Sequence, residues 1–261
     1  MWSNLRYMGI LLGMTVKSAA SQRGAMVLRG VFSLLSNLIY FPVWYVIFGY
    51  TPSIAGWQIH HALMAYGISI TCWGIVALLA YGLRTIPQQI DHGELDSYLT
   101  LPRPVLLTAA LSTSRNSGLG EVVFGVGLLT HVGFHYHVDM SFVPLFIVMG
   151  SIVFASGILL FATIGFWVRQ FYASAEEIYF NFNLMASRPA PIFSGVFQII
   201  ALTVIPVSLM THVPIQFVEN HNVLLLLGAV VGTAAYAVLA IAFFHFGLRY
   251  YESGNRFGVR G

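Results

Sequence analysis

Long apolar runs broken by short polar stretches dominate this chain. Their lengths predict six membrane-crossing helices, at about 25–50, 61–83, 105–134, 142–167, 192–210 and 223–247. Each is near or above the roughly 20 residues that cross a hydrocarbon core of about 30 Å. Ahead of them, Trp2, Leu5, Met8, Leu12, Val16 and Ala19 recur at three- and four-residue steps, with Arg6, Lys17 and Arg23 beside them. That spacing predicts an amphipathic helix over 1–23, lying in the interface and kept in the mature protein. Pro206 is expected to kink the fifth span. A polar, aromatic connector at 170–188, with Glu176 and Glu177, is expected to hold a helix along the membrane surface. The tail is 249–261. No separate soluble domain is expected.

The longest polar interruption is 84–104, which carries three of the nine acids, Asp91, Glu94 and Asp96, within six residues. Ile90, Leu95, Tyr98 and Leu99 recur there at roughly helical spacing, bracketed by Pro87, Pro102 and Pro104. This pattern predicts a short amphipathic helix at a membrane face.

Composition settles the class. Hydrophobic residues make up 57% and charged residues 8%, against about 25% charged in an ordinary soluble domain. So few charges cannot clothe a water-soluble surface, and the chain reads as an all-α integral membrane protein. The net charge of +3, with no basic run, argues against nucleic acid as a partner. The single cysteine, Cys72, permits neither an intramolecular disulfide nor a cysteine metal motif.

Charge also sets orientation. All 12 Lys and Arg residues fall at one face of the six-span layout, and the loops at 51–60, 135–141 and 211–222 hold none. The positive-inside rule then places both termini and the 84–104 stretch in the cytoplasm.

Familiar catalytic chemistry is missing. Lys17 is the one lysine, and no phosphate-binding Gly-x-x-x-x-Gly-Lys loop, Gly-x-Ser-x-Gly elbow or His-Glu-x-x-His occurs. An enzyme is not expected, nor a cofactor held by this chain. Seven of the nine histidines, at 60, 61, 131, 135, 137, 212 and 221, gather near the lysine-free face. His135 and His137, flanking Tyr136, are weak candidates for a metal or proton site. The preferred reading is that histidine fills interfacial polar positions, because the His135–His137 spacing matches no single-helix ligand pair. Glu121 stands two turns into the third span, where a charge needs a partner. Arg29 and Arg115 are the candidates for a structural ion pair, preferred over a substrate or proton site. Gly228 and Gly232 would permit close helix approach.

The stretch Ile90, Gly93-Glu94-Leu95-Asp96, Leu99, Pro102 resembles the signature of the membrane permease subunits of type-two, exporter-class ATP-binding-cassette transporters, in a bacterial branch of about 260 residues. The tail Arg249-Tyr250-Tyr251-Glu252-Ser253-Gly254 is similar to that family's closing element, with one extra aromatic. One departure is Leu101, with Arg103 after the proline, where the family usually has arginine before it.

The resemblance implies that 84–104 is a coupling helix seated in a groove of a separate cytosolic ATPase. Two permeases, identical or paralogous, and two ATPases would assemble in the bacterial inner membrane, with ATP and Mg bound by the ATPases. Asp91, Glu94 and Asp96 would offer charge complementarity, Ile90, Leu95 and Leu99 an apolar anchor, and Gly93 a turn. The substrate class would be a hydrophobic or amphipathic molecule such as a drug, lipid or glycolipid. The alternative is a proton-coupled secondary transporter using Glu121 and the outer-face histidines.

Overall fold

The computed structural model describes residues 13, 23–54, 56–188 and 206–251. The expected N-terminal interfacial helix, most of the fifth span and the tail beyond Tyr251 lie outside the described residues. The described chain is helical with no β-strand: α1 Arg23–Tyr50, α2 Ile59–Leu79, α3 Gly82–Asp91, α4 Leu95–Leu99, α5 Val105–Leu111, α6 Gly118–Tyr136, α7 Val143–Thr163, α8 Tyr172–Ala186, α9 Val213–Asn220 and α10 Val223–Leu248. A 3₁₀ turn, Ile164–Phe166, ends α7, and a π-helical turn, Ser208–His212, leads into α9. This is an all-α membrane protein. Among the described residues four stretches are long and apolar enough to cross a bilayer: Val27–Tyr50, Ile59–Leu79, Val143–Phe166 and Val223–Leu248.

α2 is the axis of the bundle. Its most apolar window is 83% buried, against 6% for α1 and 17% for α10, which turn Ile39, Val46, Leu224 and Val231 outward. Such exposed apolar faces are what lipid or another apolar surface covers, since hydrocarbon does not penalise them.

α2 packs most closely on α6 along glycines spaced seven apart on each helix. A Cβ on Gly74 would lie 2.7 Å from the Gly118 carbonyl oxygen, and one on Gly125 2.1 Å from Thr71 Oγ1. α1 meets α6 the same way, where a Cβ on Gly120 would fall 2.1 Å from Gly30 O. Bare backbone on both sides lets the helices approach closely enough for dispersion contacts to accumulate without a hydrophobic driving force. The expected Gly228–Gly232 contact is different: nothing lies within 4 Å of a Cβ at Gly228, and Gly232 faces only the Leu209 side chain.

One further expectation is corrected. The third span is not one helix. α5 ends at Leu111, and the polar run Ser112 to Ser117 breaks the chain before α6. There the Ser112 hydroxyl donates to Ala109 O (2.8 Å), competing with the helical ladder. The Arg115 N–H donates to Ala77 O (2.8 Å), closing an orphan carbonyl near the end of α2. α8 buries one face, Ala175, Tyr179, Phe182 and Ala186, with Phe182 against Phe154, and leaves Glu177 and Phe180 exposed on the other. The span ahead of Pro206, and with it the expected kink, lies outside the described residues; after Pro206 comes the π turn Ser208–His212, ahead of Pro214 at the start of α9.

Candidate functional site

The 84–104 stretch folds as two short helices joined by a turn. α3 ends at Asp91, Gly93 turns the chain with φ 69°, and α4 begins at Leu95. The expected single amphipathic helix is therefore split, and Pro87 sits inside α3 instead of bracketing it. Its ring packs on the end of α7, where a Cβ on Gly165 would lie 3.3 Å from Pro87 Cα. Gly93 is in the left-handed region, which costs an L-residue about 1–2 kcal/mol. Gly93→Ala is accordingly expected to destabilise the α3–α4 turn by about that amount, seen as faster proteolytic cutting within 84–104 at an unchanged overall helix content.

The signature residues separate into two groups. Leu95 is fully buried and Ile90 half-buried against the bundle. Asp91 faces inward too: the Gln170 N–H donates to its Oδ1 (3.0 Å), which ties α3 to the chain leaving α7. The outward side holds Glu94, Leu99 and Leu101. Glu94 Oε1 is 3.5 Å from His92 Nδ1, and Leu99 is 46% exposed beside Pro102. Asp96 is half-buried.

Arg84, given no role by the sequence, is the central tie. It is buried at the start of α3 between three rings, its guanidinium carbon 4.7 Å from the Trp73 ring centroid, 5.2 Å from Tyr81 and 5.5 Å from Tyr179. Its Nη2 also meets Glu176 Oε2 at 2.5 Å. Rings from α2 and α8, with the α8 carboxylate, thus hold one cation. An arginine directly after an apolar run rich in aromatics was the available signal. Tyr179 and Glu176 come from a distant segment, so spacing alone did not reveal the full set.

Within the bundle, Glu121 is buried where α1 crosses α6. The Ser33 hydroxyl donates to its Oε1 at 3.3 Å, while Oε2 is buried with no hydrogen-bond partner among the described residues. The expected ion pair does not form: among the described residues neither Arg29 nor Arg115 is within ion-pair distance. Arg29 is exposed, and the Arg115 guanidinium faces the Tyr81 ring at 6.0 Å.

At the opposite end, beyond the start of α2, a cavity of about 310 Å³ is lined by His60, His61, His137, His221, Asp139 and Glu219 together with apolar side chains. His61 Nε2 is hydrogen-bonded to Glu219 Oε1, and His221 Nε2 is 3.3 Å from Asp139 Oδ2. The Ser141 hydroxyl and N–H, with His221, hold the Asp139 carboxyl at about 2, below its ordinary range. Of the two histidines flanking Tyr136, only His137 lines this cavity. His135 stacks on His131 along α6, centroids 5.3 Å apart.

Against this geometry, a family model described as "ABC-2 family transporter protein" matches residues 34–255. The chain belongs to the ABC-2 transporter family. No curated protein and no solved structure matches it. The ABC-2 match covers five of the six expected spans whole, the 84–104 stretch and the beginning of the tail. This ABC-2 permease is a multi-pass membrane transport subunit and not itself a nucleotide-binding domain, and membership implies an ATPase partner. Both the fixed 84–104 stretch and the apolar bundle now stand within one transporter subunit.

Proposed function

We propose that this permease forms half of the membrane pathway of an ATP-driven exporter, and that the outward side of 84–104 seats in a groove of a separate cytosolic ATPase. Two permeases, identical or paralogous, pair with two ATPases that carry ATP and Mg. The assembly resides in a bacterial cytoplasmic membrane with both permease termini inside, and moves a hydrophobic or amphipathic substrate such as a drug, lipid or glycolipid.

The observation that carries the reading is that the stretch is fixed on one side and uncommitted on the other. Leu95, the Asp91–Gln170 bond and the Arg84–Glu176 tie bind it to α2, α7 and α8. Glu94, Leu99 and Leu101 face outward. A push on that face therefore moves packed helices instead of being absorbed by a loose loop, because close-packed cores transmit strain. Exposed Leu99 supplies an apolar anchor and Glu94 a charge for basic groups on the partner.

Purification of the complex in mild detergent tests this. Leu99→Arg combined with Glu94→Arg is expected to release the ATPase by at least tenfold, as for loss of a hot spot worth about 2 kcal/mol or more. The melting temperature of the isolated permease should not change, since both side chains are exposed. An ATPase retained undiminished by that variant, or a wild-type chain that transports while purifying alone, would overturn the proposal.

A further inference from the structure

The histidine-lined cavity has no part in the coupling geometry. It lies at the other end of α2, some 30 Å away for a helix of 21 residues. We propose that it binds one divalent transition cation of the zinc type, ligated by His60 and Glu219, with His61 as the residue that positions Glu219. The site stands independently of the ATPase proposal.

The hydrogen bonds assign the roles. The Gln58 N–H donates to His61 Nδ1 at 3.0 Å, so the proton of the neutral ring sits on Nε2, aimed at Glu219 Oε1. In that tautomer His61 has no lone pair for a metal; it holds the carboxylate in place, as outer partners of metal ligands do. Glu219 keeps its second oxygen uncommitted among the described residues. The His60 ring, its centroid 3.9 Å from that of His61 and 5.6 Å from that of Tyr136, has no hydrogen bond to its nitrogens among them. One ligand atom from each of His60, His61 and Glu219 lies within 4.8 Å of the others. Two ligands at about 2.0–2.2 Å from a zinc ion stand about 3.3–3.6 Å apart in a tetrahedral site, and half-exposed Glu219 is free to close to that spacing.

The opposite wall points the same way. His137 and His221 cap the C-termini of α6 and α9 with φ of 54° and 50°. Glycine is the usual residue at such left-handed caps, having no Cβ to strain. Imidazoles stand at both positions instead, and both line this cavity. Among the described residues no lysine or arginine lines it to neutralise Glu219 and Asp139. Imidazole with carboxylate suits zinc, copper(II) or nickel over magnesium or calcium, which take oxygen ligands.

The test is a titration of the full-length chain, purified in detergent and stripped of metal, with Zn²⁺ against a chromophoric chelator. Magnesium serves as the competing hard cation. One equivalent should bind and survive excess Mg²⁺. His60→Ala and Glu219→Gln should each weaken binding at least tenfold. Glutamine keeps an acceptor for His61, so Glu219→Gln isolates ligation from the hydrogen bond. An unchanged melting temperature of the metal-free Glu219→Gln chain verifies that it is folded. Cobalt(II) should give a visible absorption band in the wild type that Glu219→Gln loses. His135→Ala, outside the cavity, should bind as wild type does. Zinc uptake no greater than the detergent blank would overturn the assignment, as would binding that His60→Ala and Glu219→Gln leave intact.

Discussion

Replacing Arg84 with alanine is expected to destabilise the permease by about 2–4 kcal/mol, the largest loss foreseen for any single polar side chain in the described bundle. Arg84 is buried among Trp73, Tyr81 and Tyr179 and paired with Glu176. The alanine removes a desolvated cation from three ring faces and leaves a space between α2, α3 and α8. Glu176 is different, because its side chain is 48% exposed and water hydrates it when the arginine is gone. The expected order of melting temperatures in detergent is therefore wild type, Glu176→Gln, Arg84→Lys, Arg84→Ala. Lysine ranks low because a compact ammonium cannot stack as a planar guanidinium does. If Glu176→Gln costs as much as Arg84→Ala, the ion pair and not the ring box holds the start of α3. In the assembled transporter Arg84→Ala is also expected to lower transport per ATP hydrolysed, since α3 would no longer move rigidly with α2 and α8.

Gly74→Leu is expected to abolish the folded bundle. A first side-chain carbon at position 74 already falls 2.7 Å from Gly118 O and 2.9 Å from Val122 N. Those are backbone atoms that cannot rotate away. Overpacking a close-packed core costs about 1–3 kcal/mol even where side chains can yield, and here α2 and α6 would have to part along their length. Gly74→Ala is expected to lower the melting temperature measurably, and leucine to leave aggregated or degraded chain. Gly127→Ala on α6 is the matched control. Nothing lies within 4 Å of a Cβ there, and alanine favours helix by about 0.8–1.0 kcal/mol over glycine. Size-exclusion profiles and melting curves of the three variants decide the matter. A monodisperse Gly74→Leu chain would show that the α2–α6 contact is not what holds the bundle together.

Close approach at Gly74 and the cation box at Arg84 also bear on mechanism. Both join α2 to its neighbours, so the element connected directly to the 84–104 stretch is the one buried in the middle of the subunit. Under the proposed function, movement at the outward side of 84–104 would reach α6 and α7 through α2 without needing a flexible relay. α1 and α10, whose outer faces are apolar and uncovered, are free to meet lipid or a second subunit.

Periodicity and charge in the sequence alone determined the helical membrane class, the location of α1, α2, α7 and α10 within a few residues, and 84–104 as the longest polar interruption. These features are local: a run of about 20 apolar residues has few stable arrangements other than a membrane helix. The motif Gly93-Glu94-Leu95-Asp96 carried the family, and the family match agrees. Only the tertiary structure decided what individual residues do. It turned Asp91 and Leu95 inward and left Glu94 and Leu99 outward, because the Gly93 turn rotates α4 relative to α3. It gave Glu121 a serine in place of an arginine, because Gly30 and Gly120 bring α1 and α6 together at Ser33. It gathered His60, His61, His137, His221 and Glu219 from three distant segments into one cavity while leaving His135 aside. The physical reason is common to all three. Hydrophobic patterning specifies which face of a helix is buried, whereas partners across the bundle depend on rotation and depth that are fixed when whole helices pack.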